Sequence, residues 1–399
     1  MRPIQMVDLQ AQYQRLGAEI DARLQRAVSQ AAYIKGPEVA ELESAMAEGF
    51  NPLKASETLT TAFPHLSQPL HALGVANGTD ALQLAFMALD LPPGSEVITP
   101  AFSYAALAEV LFLLNLNPVF VEVNPQTFLV DVDAIREAIG PKTKAIAPVH
   151  LYGQTADMKA IMELAAEHQL YVVEDCAQAL GSQYCSEGLS GYAATMGHIG
   201  CTSFFPSKNL GCMGDGGMVF TRNPELALRL RALANHGQEQ KYQHRYIGLN
   251  SRLDTLQAAI LLAKWPHLAD FGSRRAAAAK RYDEALSGHA ELAVPARSPL
   301  STHVFHQYTL SLQNPSHREP LRQWLAAAGI PSMVYYPTPL HRQEAYAQAL
   351  SASRGRCANL AMTEDLCQRV ISLPICPELE AEQQAFVVGK IREFFETFG

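Results

Sequence analysis

The spacing of apolar residues changes character twice along the chain. Between residues 16 and 48 it is helical, with Ile20, Leu24, Ala27 and Val28 on one stripe and a break at Gly36-Pro37. Residues 51–72 (NPLKASETLTTAFPHLSQPLHA) are polar, carry three prolines and show no period, which predicts a long loop or insertion. From about residue 73, short apolar runs alternate with amphipathic ones. GVA, EVITP, PVFVEV, KAIAPV and LYVVEDC read as strands. NGTDALQLAFMALDL, SYAALAEVLFLLN, DVDAIREAI (capped by Asp131 or Asp133) and ADMKAIMELAAEH read as helices. Residues 199–205 and GGMVFT add two strands, and NPELALRLRALANH a helix capped by Asn223. Runs of this kind predict a mostly parallel sheet covered on both faces.

After residue 250 the pattern changes. A helical stretch from about 252 to 289 is interrupted by Pro266. It is followed by a strand (HQYTLSL), a helix (HREPLRQWLAAAG), a strand (SMVYYP) and a final helix over 380–397. The predicted organisation is α/β: a large sheet domain with an N-terminal helical segment, residues 1–250, and a smaller C-terminal α+β domain, residues 251–399. A chain of 399 residues is long enough for two or three domains and for a core that needs no disulfides.

Charge narrows the range of partners. The net charge is −8, with 18% charged and 48% hydrophobic residues. These values fit an ordinary globular protein and disfavour a disordered acidic one. No Lys/Arg-rich block suggests nucleic acid binding, and no apolar run approaches the length of a membrane span. The opening MRPIQMVDLQAQYQ lacks the apolar core of a secretion signal. The seven cysteines lack zinc-type spacing and read as reduced thiols, so a cytoplasmic location is expected.

Four segments at strand or helix ends carry candidate chemistry, where open α/β sheets bind ligands. In VANGTDAL, Asn77-Gly78-Thr79 opens a helix, and its free amides suit a phosphate; a plain capped turn accounts for the same residues. In VVEDCAQ, Asp175 could keep a pyridinium nitrogen protonated, Ala177 could meet the ring face and Gln178 a ring hydroxyl; solvated acids at a strand end are the alternative. In TSFFPSKNLG, apolar neighbours would desolvate Lys208 and make it nucleophilic, unless it is a surface lysine with a packed stem. The run GCMGDGG beside it lets backbone approach a ligand, although it does not fit a dinucleotide fingerprint. In GLNSRLDTLQAA, Arg252 could clamp a carboxylate or phosphate, or be a solvated arginine by a helix start. His150 and His236, at predicted element ends, read as structural hydrogen-bond partners, His236 as a supporting group at most.

Taken together, NGTDAL, EDCAQ, SFFPSKNLGCMGDGG, NHGQ, NSRLDTLQAAIL and YYPTPLHRQEAY resemble, in order and over nearly the whole chain, the DegT/DnrJ/EryC1/StrS family. These are nucleotide-sugar aminotransferases dependent on pyridoxal 5′-phosphate, with the aspartate-aminotransferase fold (fold type I). The resemblance implies that Lys208 forms a Schiff base with the cofactor, Asp175 pairs with its ring nitrogen and Gln178 meets its ring hydroxyl. It implies that Gly78, Thr79 and Ser203 hold the phosphate, and that Tyr104 lies against the ring. Asn250 would reach the cofactor phosphate of the neighbouring subunit, making the working unit a homodimer. Arg252 and the segment from Tyr336 to His341 would face the sugar. The phrases CTSFFPSKNLGCMGDGG, NHGQEQKYQHRYIGLNSRLDTLQAAIL and VHLYGQTADM are similar to the subgroup acting on UDP-2-acetamido-2-deoxy-3-oxo-glucuronate, with glutamate as donor. That subgroup supplies a 3-amino sugar for bacterial surface glycans. Relatives using dTDP-linked 3-keto or 4-keto-6-deoxy sugars share NSRLD and remain the alternative.

Two departures stand out: the long 51–72 connector, and Tyr335 where many members have histidine. Dehydratases of the same fold replace the lysine with histidine, and Lys208 argues against that activity. The intact Lys208, Asp175 and Gln178 set argues against a non-catalytic, cofactor-binding regulator. A nicotinamide-linked oxidoreductase lacks its fingerprint after the first strand.

Overall fold

The computed structural model describes residues 2–352 and 354–398. Its centre is an eight-stranded sheet. In chain order the strands are β1 (His71–Val75), β2 (Glu96–Pro100), β3 (Asn117–Val121), β4 (Thr143–Ile146), β5 (Tyr171–Asp175), β6 (Ile199–Ser203), β7 (Gly217–Thr221) and β8 (Arg356–Cys357). Their spatial order is β8-β3-β2-β4-β5-β6-β7-β1. Only β7 runs against the rest, antiparallel to both β6 and β1. Seven carboxyl ends therefore open on one edge, and β1, β2, β5 and β6 deliver their following loops there.

Alternation along the strands fixes the layers. Val97, Ala145 and Val173 pack with helices Gly78–Leu89 and Ala106–Leu113 on one face. Their neighbours Ile98, Ile146 and Val172 pack with helices Val132–Ala138 and Met158–His168 on the other. Both faces are apolar because both are covered. Helices Leu9–Gln30 and Pro37–Phe50 pack against helix Thr255–Lys264. A second core lies around an antiparallel sheet of Leu292–Ala293, Tyr308–Leu312 and Val370–Leu373, backed by helices Leu268–Leu286, Arg318–Ala327 and Ala381–Phe398.

Two sequence expectations change. Residues 51–72 are not an unstructured loop. Leu53–Ala55 pairs with Leu189–Tyr192, and Ser56 caps a short helix, Glu57–Ala62. Leu59, Phe63 and Leu66 are buried against the sheet at i, i+4 and i+7, a helical stripe that Pro64 and the intervening polar residues obscure. The segment 332–337 is not a strand either: Met333 makes one bridge to Ser372, and Tyr335 and Tyr336 then leave the sheet to line a cavity. Pro266 interrupts the helical stretch as expected: a 3-10 segment, Trp265–His267, separates helix Thr255–Lys264 from helix Leu268–Leu286, and Pro266 sits in its opening turn, where its missing N–H is not needed. No helix among the described residues is long and apolar enough to cross a membrane. All seven cysteines are free.

Candidate active site

The loops leaving β1, β2, β5 and β6 enclose a cavity of about 650 Å³. Gly78, Thr79, Tyr104, Asp175, Ala177, Gln178, Ser203, Lys208 and Tyr336 all line it. Lys208 and Asp175 meet because β5 and β6 are parallel neighbours, pairing Asp175 with Cys201.

The first wall is the turn between β1 and the helix Gly78–Leu89. Asn77 caps that helix, its Oδ1 accepting the Asp80 amide at 2.8 Å. The leading amides, of Gly78 and Thr79, have no acceptor within their own helix and lie at the cavity wall. Gly78 packs so closely on β6 that an added Cβ would lie 2.6 Å from the Ser203 Cβ. The turn and the Ser203 hydroxyl thus form one cradle of donors. Gly217, from the glycine-rich run, serves backbone packing instead: its Cβ would lie 2.4 Å from the Asn77 carbonyl oxygen. Of that run, Asp215 alone lines the cavity.

The second wall carries the charges. Burial pushes the Lys208 ammonium down to about 8, opposed by the Asp175 carboxylate. Burial raises the pKa of Asp175, opposed by the Ala177 amide, Lys208 and His150. One Asp175 oxygen accepts the Ala177 N–H at 3.0 Å. Its neighbour Glu174 points into the protein, where it accepts amides from Ala194 (2.9 Å), Met196 (2.8 Å) and Gly197 (2.6 Å). His150 completes the set. Its Nδ1 accepts the Ala156 amide, so the neutral ring carries its proton on Nε2 and donates to Glu174 at 2.8 Å. His150 is a structural partner, as the sequence suggested. His236 is exposed and does not line the cavity.

Gln178 is oriented by its surroundings. Its Oε1 accepts the Tyr152 amide at 2.8 Å, so its NH₂ faces the Tyr336 hydroxyl, 2.9 Å away, and the cavity. Gln178 thus presents its NH₂ to the cavity. Tyr104 is 62% exposed at the mouth, its ring 6.4 Å from that of Tyr336.

Three expected residues lie outside this cavity. Asn250 is exposed and bridges Asn235. Arg252 lines a separate pocket with Lys35 and Arg231. His341 is buried, with Nε2 2.8 Å from Glu364 Oε1, and does not line the cavity of its own chain. Conversely, His306 and Gln307 line the cavity and were not anticipated. In the sequence they are two polar residues at the start of an apolar strand, and only the tertiary turn brings them to Lys208.

The donor cradle, the lowered lysine, the buried carboxylate and a glutamine that turns its NH₂ inward suit one ligand with four features. These are a phosphate, an aldehyde, a protonatable ring nitrogen and a ring oxygen. A search of family models matches residues 14–392 to the DegT/DnrJ/EryC1/StrS aminotransferase family. A UDP-N-acetyl-3-dehydro-alpha-D-glucosamine 3-aminotransferase from Acidithiobacillus ferrooxidans is 43% identical over 98% of this chain and 97% of its own. A UDP-2-acetamido-2-deoxy-3-oxo-D-glucuronate aminotransferase from Pseudomonas aeruginosa is 41% identical over 94% and 96%. The crystal structure of NtdA from Bacillus subtilis, with bound cofactor PMP, covers 96% of this chain and 82% of its own, at 30% identity and a TM-score of 0.81.

Proposed function

We propose that this chain, which belongs to the DegT/DnrJ/EryC1/StrS aminotransferase family, moves an amino group from L-glutamate to a UDP-linked 2-acetamido-2-deoxy-3-keto sugar. It is a sugar aminotransferase, and pyridoxal phosphate is its cofactor. When bound, the cofactor supplies an electrophilic aldehyde and an electron-withdrawing ring that no side chain provides. The observation that carries the reading is the meeting of Lys208, Asp175 and the Gly78–Thr79–Ser203 cradle in one cavity.

Each residue then has a task. Gly78, Thr79 and Ser203 bind the phosphate with neutral donors, so an acidic protein needs no basic patch there. Asp175 would face the ring nitrogen and favour its protonated form. Gln178 donates to the ring oxygen, and Ala177 and Tyr104 bound the ring. Lys208 would hold the cofactor's aldehyde end and, as a free amine, would take the proton from the glutamate α-carbon. In the second half it returns a proton to carbon 3 of the sugar. Holding one amine within reach of both carbons is worth about 7–11 kcal/mol over a bimolecular encounter. Asn250 and Arg252, outside their own chain's cavity, serve that of a second copy in a homodimer, Asn250 at the phosphate and Arg252 at the sugar. The exposed apolar side chains of Tyr242 and Ile247, on the segment leading to Asn250, support such a contact.

The test offers glutamate with UDP- and dTDP-linked 3-keto and 4-keto sugars, with carbon 6 as a carboxylate or a hydroxymethyl. Conversion of UDP 3-keto sugars is expected. Conversion of dTDP sugars alone overturns the substrate and leaves the class standing. A glutamate-insensitive cofactor absorbance overturns the class.

A further inference from the structure

His306 is built into the Lys208 cavity with unusual care. Phe305 before it adopts φ +45°, a left-handed conformation that disfavours an aromatic residue. Such a conformation persists only when its surroundings over-determine it. Arg275, 2% exposed, donates to the carbonyls of Phe305 (3.0 Å), His306 (3.4 Å) and Ile375 (2.9 Å). Asn209, next to Lys208, donates to the Val304 carbonyl at 3.0 Å. The Val304 and Gln307 amides bond to the Gly153 and Tyr152 carbonyls.

These contacts hold an imidazole that is only 4% exposed, yet its Nδ1 has no partner among the described residues. Its Nε2 lies 3.3 Å from the Gln307 amide nitrogen, so Nε2 accepts and the ring proton is on Nδ1. Burial, with Lys208 and Arg275 nearby, keeps the ring neutral. A buried donor without an acceptor is costly unless a ligand supplies one.

We propose that His306 is a further substrate-contacting residue: its Nδ1–H donates to the group beside the reacting carbon of each substrate in turn. That group is the α-carboxylate of the amino donor in one half-reaction and an oxygen next to the keto carbon of the sugar in the other. The inference rests on the aminotransferase reading above. The two substrates share one site but differ in charge at that position. Among the residues lining the cavity the only lysine or arginine is Lys208, and the carboxylates are Asp175 and Asp215. An arginine at His306 would suit the carboxylate, but it would be buried and unpaired against a neutral sugar oxygen. A neutral N–H serves both.

The test uses the cofactor-loaded protein and the variants His306→Leu and His306→Asn. Asparagine places an amide nitrogen near the position of Nδ1; leucine removes the donor. Glutamate is titrated by the change in cofactor absorbance. Binding of 2-oxoglutarate, which does not react with the aldehyde form, is followed by calorimetry. Leucine is expected to weaken both ligands by about 10- to 100-fold, the effect of losing a hydrogen bond to a charged group. The resting absorbance should stay unchanged, and asparagine should recover most of the loss. Wild-type binding of both ligands by His306→Leu overturns the proposal, and so does equal damage by asparagine and leucine. Should the leucine variant fail to hold cofactor, His306→Gln, whose amide falls near Nε2, is compared with His306→Asn; equal affinities overturn the proposal. A wild-type protein whose absorbance ignores glutamate overturns the aminotransferase reading instead.

Discussion

Gly78→Ala probes the cofactor cradle with a single methyl group. The new Cβ would lie 2.6 Å from Ser203 Cβ and 3.2 Å from both Ser203 Cα and Oγ. Carbon atoms rest at about 3.5–4.0 Å, so the closest contact is short by about 1 Å. Neither side has room to yield. Ser203 is paired with Gly217, and Gly217 with Val75, so the turn and its neighbour are tied through two ladders. Gly217 itself leaves no slack against the Asn77 carbonyl. Replacing a helical glycine with alanine normally gains about 0.5–1 kcal/mol, while overpacking costs about 1–3 kcal/mol. The contact should win, leaving the cofactor-free protein about 1–2 kcal/mol less stable. Because the displaced groups are the proposed phosphate donors, pyridoxal phosphate should also bind at least about tenfold more weakly, a further 1.4 kcal/mol. Thermal unfolding of the cofactor-free protein reads the first effect and absorbance titration with cofactor the second. Adding Ser203→Gly should relieve the contact and restore stability without restoring affinity. A Gly78→Ala protein that unfolds and binds cofactor like wild type would refute the reasoning.

In the cofactor-free protein, capture of pyridoxal phosphate by Lys208 should follow the free-amine fraction, which grows as pH rises through about 8 because burial disfavours the ammonium. The rate–pH profile checks this, and Asp175→Asn should move it lower, since the carboxylate opposes that shift. Glu174→Gln turns one of two saturated acceptor oxygens into a donor facing donors, and should destabilise the protein by about 2–4 kcal/mol in denaturant titration. Leu59→Ala empties a buried position in the 51–72 segment and should cost about 2–4 kcal/mol in unfolding experiments, with kcat/KM on the sugar unchanged.

What was legible in the sequence followed local rules. The strand–helix alternation is legible because both faces of the sheet are buried, which makes its strands apolar throughout. The caps at Asn77, Asp131 and Asn223 are read from residue type and are observed. Lys208 and Asp175 are legible as loop-end residues whose strands prove to be neighbours. The helical stripe in segment 51–72 is hidden because Leu59, Phe63 and Leu66 are spread over a six-residue helix, the residue that follows it and a 3-10 turn. Tyr335 and Tyr336 carry β-type composition, but their side chains are used in the cavity rather than in a ladder. His306 lies far from Lys208 in sequence, and its role depends on a buried arginine and a left-handed phenylalanine that no spacing announces.

The central claim is that this protein carries nitrogen from glutamate to carbon 3 of a UDP-linked sugar through Lys208. Its most direct test is a transfer experiment with nitrogen-labelled glutamate and a UDP-2-acetamido-2-deoxy-3-keto sugar, read by mass spectrometry of the product. The label should appear in the sugar with the wild-type protein and be absent with Lys208→Ala. Label transfer that survives loss of Lys208, or no transfer to any UDP 3-keto sugar, would contradict the account.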